Sequence, residues 1–184
     1  LAYAPFAPGL HGFSALGLGF TFFGWGVALA VTSVWGAPAL TSRLPRSVVL
    51  SIVLPLLALD LVAVGLFVSS TVGIIVGIIV GGLLLGVLNT VLTESVMNAT
   101  DLPRSVASSA YSFVRFIGGA IAPPLAAAIA GWTGNPSISF YVGGASVLVA
   151  TVLVVAGRRQ LRRIDGGEEA PRDEAEDIGI ADAA

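Results

Sequence analysis

Five apolar runs follow one another in this chain, at about 14–39, 47–68, 72–97, 105–130 and 138–157, parted only by short polar links. A run of about 20 apolar residues, wound as a helix, matches the hydrocarbon thickness of a bilayer. Hydrocarbon offers no water to unpaired backbone N–H and C=O groups, and each such group costs several kcal/mol there, so helix is the one regular structure open to a single run. Strands of a membrane barrel would show segments of about ten residues with alternating polarity, and the runs do not alternate. The expected fold class is therefore all-α: a polytopic transmembrane helix bundle with five complete spans. Leu1–Pro8 is apolar but too short to cross, and is expected to be the end of a sixth span; with the outer loop after it, it makes up residues 1–13. The chain begins at Leu1 with no Met and no basic leader, so it is expected to be part of a longer protein.

Composition agrees with lipid as the solvent. Of the 184 residues 55% are hydrophobic and 11% charged, against about 25% charged in soluble domains. Eight of the eleven acids lie after residue 164. The first 157 residues hold only Asp60, Glu94, Asp101, Arg43, Arg46, Arg104 and Arg115 as charges. The absence of Cys excludes disulfides and thiolate chemistry, and the single His11 cannot form a metal cluster. His11 reads as an interfacial residue. No nucleophile-and-base constellation, phosphate loop or nucleic-acid motif is present, so the chain is expected to be no enzyme, with no cofactor, metal or nucleic-acid partner. Residues 158–184 form a basic and then acidic tail without a large apolar face, expected to be disordered.

The arginines give an orientation. Arg43 and Arg46 follow the first span, Arg104 the third, and Arg158, Arg159, Arg162 and Arg163 the fifth; the links 69–71 and 131–137 carry none. Basic residues mark cytoplasmic links. The expectation is a multi-pass protein of the cell (plasma) membrane with its C-terminus in the cytoplasm. Trp35, Trp132 and Tyr141 suit an interfacial aromatic belt.

Helical spacing marks inward faces. Thr21, Gly24, Ala28 and Thr32 form a small and polar stripe on the first span. Gly82, Gly86, Asn89, Thr93 and Met97 do so on the third, with Thr90 and Glu94 beside it; Ser108, Ser112, Arg115, Gly119, Ala122 and Ala126 on the fourth; Ser139, Gly143, Ser146 and Ala150 on the fifth. Small residues let neighbouring helices approach closely. The stripes predict a packed bundle with a hydrated interior.

The run PRSVASSAYSFVRFIGGAIAPPL (103–125), preceded by NTVLTE (89–94), resembles the tenth and eleventh helices of major facilitator superfamily transporters, in particular the drug:proton antiporter branch. FTFFGWGVALAVTSVW (20–35) with the following Arg43/Arg46 link resembles the eighth helix and the cytoplasmic loop after it. In that loop Arg43 and Arg46 match the family's Gly-x-x-x-Asp-Arg-x-Gly-Arg motif, whereas Pro38 and Pro45 stand at its Gly positions and Ser42 at its Asp position. Arg115, Gly118-Gly119 and Pro123 look like a counterpart of the antiporter motif of the fifth helix.

The resemblance implies the C-terminal half of a secondary active transporter, its five spans being helices eight to twelve. Such a protein would work by alternating access, and here the expected activity is proton-coupled efflux of small amphipathic compounds. The partners implied are membrane lipid, a small-molecule substrate, protons and the missing N-terminal half. Asp60, Glu94 and Arg115 are then candidates for proton coupling or gating, since each charge placed in lipid costs roughly 2.5–3.5 kcal/mol. For Asp60 a plain polar-network role stays open. Glu94 and Arg115 are expected to form an ion pair, either structural and gating or proton-coupled. Asn89, Thr93 and Ser112 are candidates to line the path, and Gly86, Gly118, Gly119 and Pro123 to pack helices. The alternative is a polytopic subunit that transports nothing and scaffolds or binds a partner.

Overall fold

The computed structural model describes residues 14–98 and 103–157. The first 13 residues with His11, the link holding Asp101, and the tail with its arginines lie outside the described residues. Among those described, every regular element is helical: α1 (Ala15–Val31), a π-turn (Thr32–Gly36), α2 (Ala37–Thr41), α3 (Arg46–Leu66), α4 (Thr71–Asn98), α5 (Arg104–Thr133) and α6 (Pro136–Ala156). α1, the π-turn and α2 run on as one rod, so five helices are long and apolar enough to cross a membrane.

Local chemistry sets the helix ends. The Ser14 hydroxyl caps α1 by accepting from Gly17 N–H at 3.1 Å. Pro45 and Pro103 sit immediately before α3 and α5, where the ring's fixed φ suits a helix start and its missing N–H costs nothing. Gly134 ends α5 in the left-handed region at φ 63°, and Asn135 then caps α6 by accepting from Ser137 N–H at 3.0 Å, with Pro136 at the first helical position.

Packing centres on α3 and α4. α3 lies against both α4 and α6, and α1 lies against α4. The main core joins Val49, Leu50, Val53 and Leu54 of α3 to Val87, Leu88 and Val91 of α4. Large apolar side chains such as Phe20, Phe23, Leu59 and Val152 point outward. Such a surface is soluble in hydrocarbon and would aggregate in water.

Close approach comes from glycines on two faces of α4. A β-carbon at Gly82 would lie 2.7 Å from the Trp25 carbonyl oxygen, and one at Gly86 would strike the Leu29 carbonyl and the Thr32 hydroxyl. On the other face, a β-carbon at Gly77 would collide with Val64. α6 meets α3 in the same way, through buried Gly144 against the Ala58 carbonyl.

α5 departs from expectation. Every residue from Phe113 to Ala122 is exposed, and a β-carbon at Gly118 or Gly119 would meet nothing within 4 Å. Gly118 and Gly119 thus meet no other described helix: α5 touches its described neighbours at Ala107 and at Pro123, Ala126 and Ala130, where the Ser139 hydroxyl of α6 donates to the Ala126 carbonyl at 2.7 Å. Its middle turns stand clear because no other described helix lies over them.

This contrast gives a test. Gly86→Ala should destabilise the protein by about 1–3 kcal/mol, as overpacking does. Gly118→Ala should be neutral or stabilising by up to about 1 kcal/mol, since it only removes a helical glycine. Thermal unfolding of both variants in detergent checks the pair.

Candidate functional site

Asp60 lies in the C-terminal half of α3, half-buried against the glycine face of α4. A β-carbon at Gly81 would sit 3.1 Å from one carboxylate oxygen, and one at Gly77 would sit 3.8 Å from the other. The absence of side chains at these two positions, one turn apart, makes the room that the carboxylate occupies. Among the described residues it makes no hydrogen bond and no ion pair. A carboxylate held in an apolar wall without a partner is costly unless water, a proton or a cation attends it.

Two cavities meet at this side chain. An inner one of about 140 Å³ is lined by Trp25 of α1, Leu57, Asp60 and Val64 of α3, Gly77 and Gly81 of α4, and Phe140 of α6, among others. An outer cleft of about 420 Å³ runs from Asp60, Val64 and Gly77 past Phe67 and Val76 to Ser70, in the link between α3 and α4. The indole N–H of Trp25 is buried and has no acceptor. Both spaces are lined mainly by carbon, so the carboxylate is the one formal charge on their walls.

Glu94 does not pair with Arg115. Its partner is Arg46, with Nε 3.4 Å from Oε2, while Arg115 lies on the exposed middle of α5. Helix direction explains the choice. Arg46 opens α3 and Glu94 is near the end of α4, so each sits at the helix end that disfavours its own charge and favours that of its partner. Pairing across the two ends relieves both. The bond ties the link between α2 and α3 to the last turns of α4. Arg43, in the same link, is exposed.

A second polar contact crosses from the π-turn to α4. The Ser33 hydroxyl donates to the Gly86 carbonyl at 3.1 Å, and the Thr90 hydroxyl donates to the Gly86 and Ser33 carbonyls at 3.2 and 3.4 Å. The widened turn presents a carbonyl that a regular helix would occupy internally. Of the candidates for lining a path, Thr93 donates to the Asn89 carbonyl of its own helix at 2.7 Å, and Asn89, Thr93 and Ser112 are all half-buried.

Comparison with known proteins adds to this geometry. The chain is 41% identical over 167 residues to the multidrug efflux protein YfmO of Bacillus subtilis (strain 168). It is thus similar to a bacterial efflux protein. The aligned region covers 91% of this chain and 41% of that protein, so the chain spans less than half the length of this relative. No protein-family model matches the chain, and no solved structure matches it.

Sequence reasoning picked out Asp60 and Glu94 but missed Trp25, Gly77, Gly81 and Phe140, which shape the cavity at Asp60. The Gly77-x-x-x-Gly81 spacing in α4 was a signal for a second glycine face. A double-mutant cycle tests the revised pairing: Arg46 and Glu94 should couple by about 0.2–1 kcal/mol, as half-exposed pairs do, whereas Arg115 and Glu94 should couple by roughly zero. Unfolding of the single and double alanine variants measures both.

Proposed function

We propose that this chain is the C-terminal half of a secondary active transporter of the major facilitator type, exporting small amphipathic compounds by alternating access in exchange for protons. The observation that carries the reading is the identity with a multidrug efflux protein along nearly the whole chain. The geometry supports it in two ways.

The middle of α5 has the chemistry of a surface awaiting further helices or water. Pro123 and Pro124 lack the N–H groups that would bond the carbonyls of Gly119 and Ala120, and both of those residues lie on the same exposed stretch as Arg115. Hydrocarbon would leave those groups unpaired. A facing half, with a hydrated passage between, would satisfy them, and substrate sites in such transporters lie at the interface between repeats.

Asp60 supplies the other support. A carboxylate that borders two cavities in an apolar wall can take up a proton in one exposure and release it in another. It is the proposed coupling residue. Arg46 and Glu94 act as a clasp on the cytoplasmic side, and Arg115, Asn89, Thr93 and Ser112 contribute to the passage. In this reading the links with Arg43 and Arg104 face the cytoplasm of a cell membrane.

The full-length protein in proteoliposomes should expel an amphipathic dye when a pH gradient is imposed. Asp60→Asn or Glu94→Gln should slow that export by about tenfold, equivalent to about 1.4 kcal/mol in the barrier. Undiminished export in both variants at normal expression would remove these carboxylates from the mechanism. Ser42→Cys and Asn135→Cys, each placed in a cysteine-free background, should react with an impermeant thiol reagent from opposite sides of the membrane. Labelling from one side would refute the topology.

A further inference from the structure

The π-turn between α1 and α2 owes its bonding to Pro38. The Ala37 N–H donates to the Thr32 carbonyl, one residue further back than in an α-helix. In the same wide pattern residue 38 would serve the Ser33 carbonyl, but proline has no N–H to give. The Ser33 carbonyl is left to the Thr90 hydroxyl of α4, 3.4 Å away. A regular helix would share the bonds differently. The Ala37 N–H would then serve Ser33, and the Pro38 ring would press on the Val34 carbonyl instead.

We propose that this turn is a switch with two positions. In the wide position the Ser33 carbonyl accepts from Thr90; in the closed position it accepts from the Ala37 N–H, and the turn becomes ordinary α-helix. Closing winds the five residues Thr32–Gly36 more tightly, which turns α2 and the link with Arg43 by about one residue, roughly 100° about the axis of the span. The inference goes beyond the transport reading and does not rest on it.

Three features keep the two positions close in energy. Each hydroxyl that bonds the wide turn has a second acceptor on its own helix. Thr90 already shares its proton with the Gly86 carbonyl at 3.2 Å, and Ser33 can turn from Gly86, 3.1 Å away, to the carbonyl four residues back, as serines in helices do. The wide position costs the poorer geometry of a π-turn, and the closed one costs the proline contact at Val34. The core also accepts both. Ala37 is 1% exposed, in one cluster with Val49, Leu50 and Val87, and closing brings Gly36 to its place. A β-carbon at Gly36 would already lie 3.8 Å from Val87, and both residues are small, so neither leaves a large void. Finally, a cleft of about 510 Å³ lies between α2 and the start of α3, lined by Pro38, Thr41, Arg43 and Arg46 among others. It gives the end of the rod room to turn.

Spin labels on Ala39→Cys of α2 and Val155→Cys of α6, both exposed positions, report the turn in the full-length protein in nanodiscs. They lie toward the same end of the bundle, since Val154 packs against the cluster that holds Ala37. Double electron–electron resonance should give one main distance and a minor second one, offset by several ångström, the sweep of roughly 100° on a helix about 10–12 Å across. Thr90→Val keeps the shape of the side chain and removes its proton, so it should raise the ratio of the second distance to the first by about threefold to tenfold, as loss of one hydrogen bond does. Thr90→Ser should leave the ratio near that of the unaltered protein. Pro38→Ala removes the ring that opposes the closed turn and should enrich the same second distance. An unchanged distribution in Thr90→Val would overturn the switch, as would a broadening with no second maximum, or a second distance that differs between Thr90→Val and Pro38→Ala. Where Thr90→Val fails to fold, Pro38→Ala decides, and absence of the second distance there refutes the proposal. Proton-driven export measured on the same preparations reports separately on the transport reading.

Discussion

The arrangement depends on how closely helices can approach α4. Two glycine faces on this one helix, Gly82 and Gly86 toward α1 and Gly77 and Gly81 toward α3, let backbone carbonyls and a carboxylate come where side chains would otherwise stand. In a lipid solvent apolar side chains gain little by leaving the solvent, so association must come from close van der Waals contact and polar bonds between helices. The Ser33–Gly86–Thr90 hydroxyl–carbonyl contacts are made possible by that same closeness.

The site follows from the packing. Asp60 fits in the C-terminal half of α3 because α4 offers no β-carbons against it at Gly77 and Gly81. The ring of Trp25 is seated nearby because Gly82 admits it. The cavity at the carboxylate is thus a by-product of glycine spacing, bordered by a single formal charge. The clasp of Arg46 and Glu94 is set at the opposite end of the α3–α4 contact from Ser70, so the two helices are tied at one end and parted by a cleft at the other.

α5 shows the opposite condition. Its middle carries a guanidinium and carbonyls freed by two prolines, yet no described helix covers it. The small-residue stripe was legible in the sequence, but spacing alone does not tell which neighbour a stripe meets. On α1 the stripe of Thr21, Gly24, Ala28 and Thr32 turns to α4, with Thr21 and Ala28 buried and Gly24 beside Ile79. On α5 the equivalent stripe turns to open space. The Glu94 pairing failed in sequence for a related reason: Arg46 and Arg115 were both within reach along the chain's topology, and only the position of α3 against α4 selects Arg46.

By itself the sequence determined what lipid demands of any chain: helices, their number, their capped ends and the rarity of charge within them. Those follow from local rules, the length of an apolar run and the turn chemistry of residues such as Gly134, Asn135 and Pro136. Tertiary structure alone decided which glycines touch, which arginine meets Glu94, and that Asp60 borders a cavity walled by four helices. These are long-range relations, and residues far apart in sequence become neighbours only when helix faces are rotated against one another, which no single helix encodes.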